Sequence, residues 1–340
     1  MKRPNFFYHL HPPSIPAEQA RFGYTLGLGG LAVFLFLVVF ITGALLLFYY
    51  VPSAEQANAS VQFLTYHVPL GWLIRNLHYW ATQALVVVTI LHLLRVALTG
   101  GFRLPRRFNW LLGLGLLLLI VGLDFSGYVL RWDTEVGWAL LVGTNLLKEI
   151  PLIGQGLYRL AVGGTAIGDG TVLRFFGWHV FGLVLPAAFL FVWHLFRVRR
   201  DGGIGAPKPQ PGKAPDRIKR DVLVRREVIA LLIASASLLL LATIFNPGLG
   251  SAFDPAQTIG EAQAPWFFLW VQELLRWGDA LWMGVLVPFG MIALIALLPY
   301  FFDRGEESGR WFPRDGRLAQ AMALCLILTI SLLTLIGALR

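Results

Sequence analysis

Four of the seven histidines stand inside long apolar runs, where an ionisable side chain is costly and marks function by default. His78 and His92 are 14 residues apart in one run, and His179 and His194 are 15 apart in another. At ~100° per residue, 14 residues turn a helix to within roughly 40° of four full revolutions, and 15 overshoot by roughly 60°. Each pair therefore shares one helix face, its rings about 21–22 Å apart at 1.5 Å rise per residue. The two runs are the second and fourth of the chain, so as membrane spans they point the same way. His78 then stands level with His179, and His92 with His194. Two imidazoles without a carboxylate or thiolate suit an iron porphyrin held by two axial histidines. Zinc takes three or four protein ligands, and the apolar surroundings offer none. A lone intramembrane histidine is explained as well by helix–helix hydrogen bonding or a proton relay; four in two registers point to two b-type haems.

The elements that would position these rings follow from composition. Of 340 residues, 56% are hydrophobic and 14% charged, with a mean hydropathy of +0.66; an average soluble domain carries about 25% charged residues. A soluble fold and a disordered chain are excluded. Seven apolar runs approach the ~20 residues a spanning helix needs: 30–50, 77–98, 110–130, 175–198, 228–245, 280–302 and 318–339. The expected fold is an all-α integral membrane protein of seven transmembrane helices, a four-helix dihaem bundle followed by three helices. The Gly-, Pro- and Lys-rich stretch 201–221 suggests two domains, 1–206 and 207–340. Lys and Arg, including Lys2, Arg3, Lys208 and Lys213, gather before the first run and in the second, fourth and sixth connections. This bias puts the N-terminus in the cytoplasm and the C-terminus outside. The basic stretch 208–226 fits an anionic lipid surface better than nucleic acid, and no nucleic-acid partner is expected. The start of the chain lacks the apolar core of a cleaved signal peptide. Cys325 stands alone, so neither a disulfide nor a cysteine-based metal site is available. His9, His11 and His67 lie outside the runs. The outer connections 131–174 and 246–279 are long for plain links and should carry function or short helices.

Glycines echo the histidine period. Gly29 and Gly43 are 14 apart in the first run, and Gly113 and Gly127 are 14 apart in the third. A flat macrocycle needs a neighbouring backbone without a β-carbon, although small-residue helix packing gives the same pattern. Arg75 and Arg174 outside, and Arg95, Arg103 and Arg106 inside, are candidates to pair haem propionates; for the inner set, plain positive-inside bias is the alternative. Pro265, Trp266 and Phe267, with Ile150 and Pro151, offer an apolar slot for a ring, or else belong to an interfacial aromatic belt. Arg21 and Arg199 are inner-side candidates for quinone or propionate contacts, or snorkelling surface charge. A proton-relaying transporter would need broken helices or acids in mid-span, and we read neither.

Several stretches resemble the cytochrome b family in its b6 form: Phe22-Gly23-Tyr24, Ala59-Ser60-Val61-Gln62, Gly71-Trp72-Leu73-Ile74-Arg75, Leu98-Thr99-Gly100-Gly101-Phe102, Gly127-Tyr128 with Trp132-Asp133, and Ile150-Pro151-Leu152-Ile153-Gly154. The unequal histidine separations are similar to the b6 type, and the last three runs resemble subunit IV of the b6f complex. The resemblance implies a dihaem subunit of a prokaryotic plasma membrane, in a homodimeric quinol oxidoreductase of the bc or b6f type. Quinol and quinone would be its substrates, and a Rieske iron–sulfur protein or a c-type cytochrome its partner. Three departures stand out. The family's outer quinol motif carries an acid before Trp, and here Ala264-Pro265-Trp266-Phe267 carries none. Glu261, Glu135, Asp133 and Glu273 are the acids available to replace it. The cysteine that attaches a third haem in b6 is Thr25, so no covalent third haem is expected. Arg131 replaces the proline before Trp-Asp, and Tyr79 an arginine beside the first histidine. These changes keep open a variant subunit without outer quinol oxidation, its partner a multihaem cytochrome c or a molybdenum enzyme.

Overall fold

The computed structural model describes residues 12–207, 212, 214–254 and 263–340; Lys2, Arg3, His9, His11, Lys208, Lys213 and Glu261 lie outside the described residues. Each apolar run is a helix, as a backbone in lipid must be to satisfy its own polar groups. In chain order the helices are α1 (Leu28–Leu46), α2 (Ala57–His67), α3 (Gly71–Leu98), α4 (Arg107–Val129), α5 (Thr134–Lys148), α6 (Gly154–Val162), α7 (Asp169–Arg200), α8 (Arg220–Ile244), α9 (Leu269–Leu275), α10 (Trp282–Phe302) and α11 (Arg314–Leu339). The seven long ones are long and apolar enough to span a membrane. The shorter α5, α6 and α9 lie in the third and fifth connections, where length alone pointed to extra structure, and α2 lies in the first, where it was not expected.

The two ends of the bundle are tied separately. At the basic end, strand β1 (Ser14–Pro16) pairs antiparallel with β2 (Arg217–Lys219), joining the N-terminal segment to the fourth connection. No strand was expected there, because three-residue pairings leave no readable alternation. Gln19 Nε2 donates to Gly202 O and Ile204 O, and Trp311 Nε1 to Gly23 O. Arg103 binds Asp303 at 2.8 Å and Asp315 at 2.9 Å, and also meets Glu307 O. The Lys/Arg-rich segments thus share one end. At the other end Asn58 Nδ2 reaches Arg131 O and Gly250 O, Thr134 meets Ser251, and Asp169 accepts Ala54 N. The halves also meet between the ends, where Asn76 Nδ2 donates to Ala242 O, Trp80 Nε1 to Phe245 O and Trp110 Nε1 to Ile295 O.

Three π turns interrupt the spanning helices, Trp178–Gly182, Trp282–Leu286 and Leu298–Phe302. Proline lacks an N–H, and its ring crowds the carbonyl four residues back. Gly182 is four before Pro186, Gly284 four before Pro288, and the third turn contains Pro299. The unbroken helices expected from hydropathy are therefore locally widened, because hydropathy does not register a missing donor.

The Arg103–Asp303 pair is buried, with side-chain exposures of 4% and 1%. Removing one partner of a buried pair strands the other charge, at a cost of about 3–5 kcal/mol. Arg103→Ala should lower the thermal unfolding midpoint of the detergent-solubilised protein markedly. Arg21→Ala, which loses only the exposed pair to Glu18, should change it little.

Candidate functional site

The four span histidines are brought together in pairs across the gap between α3 and α7. The rings of His78 and His179 are 6.3 Å apart, centre to centre, and tilted 73° to one another. Two metal–imidazole bonds of ~2 Å, plus about 1 Å from each nitrogen to its ring centre, span about 6 Å. One metal ion therefore fits between these rings. Among the described residues, no three His, Cys, Asp or Glu side chains gather to hold an ion. The donor set is two imidazoles, and the remaining positions of a six-coordinate iron would belong to a macrocycle.

The unequal separations have a local cause. The π turn begins at Trp178 and contains His179, with Leu183 N bonded five residues back to Trp178 O at 2.8 Å. A π turn takes up one residue more than an α turn. The fifteenth residue between His179 and His194 is thus absorbed, and the roughly 60° overshoot expected for a uniform helix is relieved.

Each of the four spaced glycines faces one of the four rings. A β-carbon at Gly127 would stand 2.8 Å from Cε1 of His179, and one at Gly43 3.0 Å from Cε1 of His78. At Gly113 and Gly29 the distances, to His194 and His92, would be 3.2 and 3.3 Å. The 14-residue glycine period on α1 and α4 is therefore the mirror of the histidine period on α3 and α7. The rings themselves press on these glycines, which the sequence had suggested as places for a macrocycle edge.

The rings of His78 and His179 are also oriented. Thr42 Oγ1 lies 3.0 Å from Nδ1 of His78, and Ser126 Oγ lies 3.0 Å from Nδ1 of His179. Each hydroxyl donates its one proton to a carbonyl of its own helix, Val38 O at 2.7 Å and Leu123 O at 3.1 Å. With the hydroxyl protons so placed, the oxygens accept from the imidazoles, the arrangement that carries the ring proton on Nδ1 and leaves the Nε2 lone pair for a ligand bond. The inner rings lack such hydroxyls: Nδ1 of His92 and of His194 is buried without a hydrogen-bond partner.

The arginine candidates are spread out. Arg75 Nη2 donates to Gly248 O at 3.2 Å, and Arg106 Nε to Gly203 O at 2.9 Å. Arg95 is buried under the Tyr24 ring, its Nε unpartnered. Arg174 meets Leu160 O at 3.4 Å. Arg103, considered for an inner anion, is taken up by Asp303 and Asp315. His67 stacks exposed on Phe63, away from the bundle interior, and Arg21 pairs with Glu18.

At the outer end, Pro265 leads into a helical turn, Trp266–Phe268, with Phe267 buried. Phe268 packs on Phe125 of α4 with ring centres 5.5 Å apart. Ile150 and Pro151 join α5 to α6. Leu146, nearby on α5, and Leu275 of α9 both abut Gly284 of α10. Asp133 is committed to structure: it caps α5 by accepting Val136 N, and it binds Gly250 N and Arg131. Burial alone would lower the Arg131 guanidinium, but Asp133 and Glu135 beside it hold it above its ordinary value. Glu135 is exposed, and Glu273 is buried against Arg340 and Trp277.

One acid was overlooked. Asp124 lies inside the third run, buried on α4. It accepts from Gln83 Nε2, whose Oε1 accepts in turn from Trp266 Nε1. The signal was present, since Asp124 is the single Asp or Glu within the seven runs, and it corrects the reading of no acid in mid-span. Thr42 and Ser126 gave no signal beyond standing next to Gly43 and Gly127.

Residues 16–202 match the family described as cytochrome b/b6/petB, and residues 252–340 match cytochrome b (C-terminal)/b6/petD. Cytochrome b6 of Synechococcus elongatus is 38% identical over 175 residues, 52% of this chain and 81% of that protein. The cytochrome b6 of a Cyanothece species is 38% identical over 175 residues, 52% of this chain and 79% of its own length. A solved structure titled hyperthermophilic respiratory Complex III superposes with a TM-score of 0.81 at 24% identity, covering 93% of this chain and 84% of that one. The matched segments contain all four span histidines, and the chain belongs to the cytochrome b/b6 family of multi-pass membrane haem b proteins.

Proposed function

We propose that this chain is the dihaem cytochrome b subunit of a quinol oxidoreductase complex of the bc or b6f type. His78 and His179 would hold one b-type haem near the outer surface, and His92 and His194 a second near the inner surface. The observation that carries this reading is the 6.3 Å approach of His78 to His179, repeated in pattern by the glycines that face all four rings. When bound, the haems would supply one-electron sites near both membrane surfaces.

The chain's own residues do the rest. Thr42 and Ser126 fix the outer ring tautomers and add basicity to the ligand nitrogens. Gly43 and Gly127 let α1 and α4 close on those rings. Arg75, Arg95, Arg106 and Arg174 supply positive charge for propionates. Pro265, Trp266 and Phe267, with Ile150 and Pro151, would form the outer quinone slot and exclude water from it. The gathering of the Lys/Arg-rich segments at one end supports an N-terminus in the cytoplasm and a C-terminus outside, and the prokaryotic plasma membrane is inferred from family membership. A homodimer with a Rieske protein or a c-type cytochrome as partner is the assembly we infer from family membership, and the two-part division 1–206 and 207–340 goes with it. Pro265 at the place of the family's acid favours a second reading, a variant subunit that leaves quinol oxidation to another site.

Reduced-minus-oxidised spectra of the purified complex test the assignment. His92→Ala should remove one of two b-type signals and leave the other. Loss of neither would refute the pairing. Ser126→Ala removes an acceptor from Nδ1 of His179, so its imidazole donates less strongly and favours ferric iron less. The midpoint potential of one haem should rise while the other stays in place, as read by redox titration.

A further inference from the structure

We propose that Asp124 is the proton-accepting group of the outer quinone slot; this rests on reading that slot as a quinol site. An acid within a membrane span persists where it serves a substrate or proton path. Asp124 is 7% exposed, and among the described residues no cation is paired with it. Its described hydrogen-bond partner is Gln83, whose Nε2 lies 3.0 Å from Oδ1 and 3.3 Å from Oδ2.

The polarity of this chain of contacts is fixed from its far end. The indole N–H of Trp266 can only donate, and it meets Gln83 Oε1 at 2.5 Å. The amide must then turn its NH₂ to Asp124, and Asp124 must present an accepting oxygen. One amide leaves most of the carboxylate's lone pairs unused, so a hydroxyl of a bound ring can still be received there.

The position suits that use. Trp266 is 38% exposed and opens the aromatic turn, and Phe125, the neighbour of Asp124, packs on Phe268 of the same turn. Ser126, two residues on, bonds His179, and Gln83 lies five residues inward of His78 on α3. The carboxyl thus neighbours both the aromatic turn and the stretch of α4 that bonds the His179 ring. Three acids that could replace the loop acid are occupied: Asp133 as a helix cap, Glu135 with Arg131 in the open, Glu273 with Arg340; Glu149, before Ile150, is exposed and not buried in the bundle. Around Asp124, α3 contributes Tyr79 within electrostatic reach, α7 carries His179, bonded to Ser126 two residues on, and the Trp266–Phe268 turn contributes no titratable side chain.

Oxidation of one quinol to quinone yields two electrons and two protons. The assigned step concerns one proton: an O–H bond of the quinol breaks, and an O–H bond forms on Asp124. The two electrons would be taken singly, one by an iron–sulfur or c-type haem partner and one by the b-type haem that His78 and His179 would hold, and the other proton would pass to water at the surface.

The test uses the intact complex with a short-chain ubiquinol and, separately, a short-chain menaquinol. Asp124→Asn keeps the shape and removes the base. Turnover should fall at least tenfold, within the ~10²–10⁴ range of a general base, while both haem signals persist. Asp124→Glu should recover much of the loss, and D124N/P265E should recover activity with a shifted pH profile. Infrared difference spectra of the wild type should gain a carboxylic acid band on quinol addition, absent in D124N. An active wild type with an equally active D124N of unchanged pH profile overturns the inference alone. A wild type that carries both haems and oxidises neither quinol overturns the functional reading with it. Should D124N fail to assemble, Asp124→Glu decides: a wild-type band that shifts in this variant supports the assignment, and an unshifted band or none overturns it.

Discussion

A polar group inside lipid has no water to fall back on, so every ring, hydroxyl and acid between the membrane surfaces must be met by the protein or its ligand. This constraint orders the bundle. Thr42 and Ser126 satisfy themselves on their own helix carbonyls and thereby become acceptors for His78 and His179. Asn76 and Trp80 spend their N–H groups on carbonyls of α8 and its exit, at Ala242 and Phe245. Polar side chains thus bind the C-terminal helices to the haem-bearing half. Packing alone would discriminate less, because lipid tails are as apolar as the helix faces.

The two tiers of rings show how backbone detail corrects a simple period. A uniform helix would leave His179 and His194 off register with a 14-residue pair. Pro186 cannot donate to Gly182 O, and a π turn forms just before it, around His179. The irregularity that proline forces is the one the extra residue needs. Across the interface, α1 and α4 carry glycines at the shorter spacing, 14, with no π turn in either helix. Three helix segments keep the plain period, and the fourth is adjusted to them.

The spans, the face shared by each histidine pair, the period of the glycines and the clustering of basic segments were legible, because each is periodic or compositional; that the glycines face the imidazoles was not. What was not legible is contact between distant segments that carry no period. The β1–β2 pairing, the Arg103 cluster and the Gln83–Trp266 link join residues about 180–210 positions apart. Arg103 looked like one more inner positive charge until Asp303 and Asp315 were found beside it. Hydroxyls next to glycine look like small-residue packing until their second bond, to a ring, is seen. Asp124 was a different kind of miss. It stood in plain view in an apolar run, and its meaning depended on Gln83 and Trp266.

The departures at the outer end read differently once the contacts are known. Pro265 removes both an acid and a backbone N–H, and the residues after it form a short turn that directs Trp266 toward α3. Arg131, in place of a proline, binds Asp133 and keeps that acid on structural duty. Each change withdraws a carboxylate from the aromatic slot. A buried carboxyl without a cation is costly in lipid, where an apolar residue would sit more comfortably. Asp124, buried without a paired cation among the described residues and linked through the Gln83 amide to the tryptophan of that turn, supports the proposal that the acid of this site lies on α4 and not in the loop.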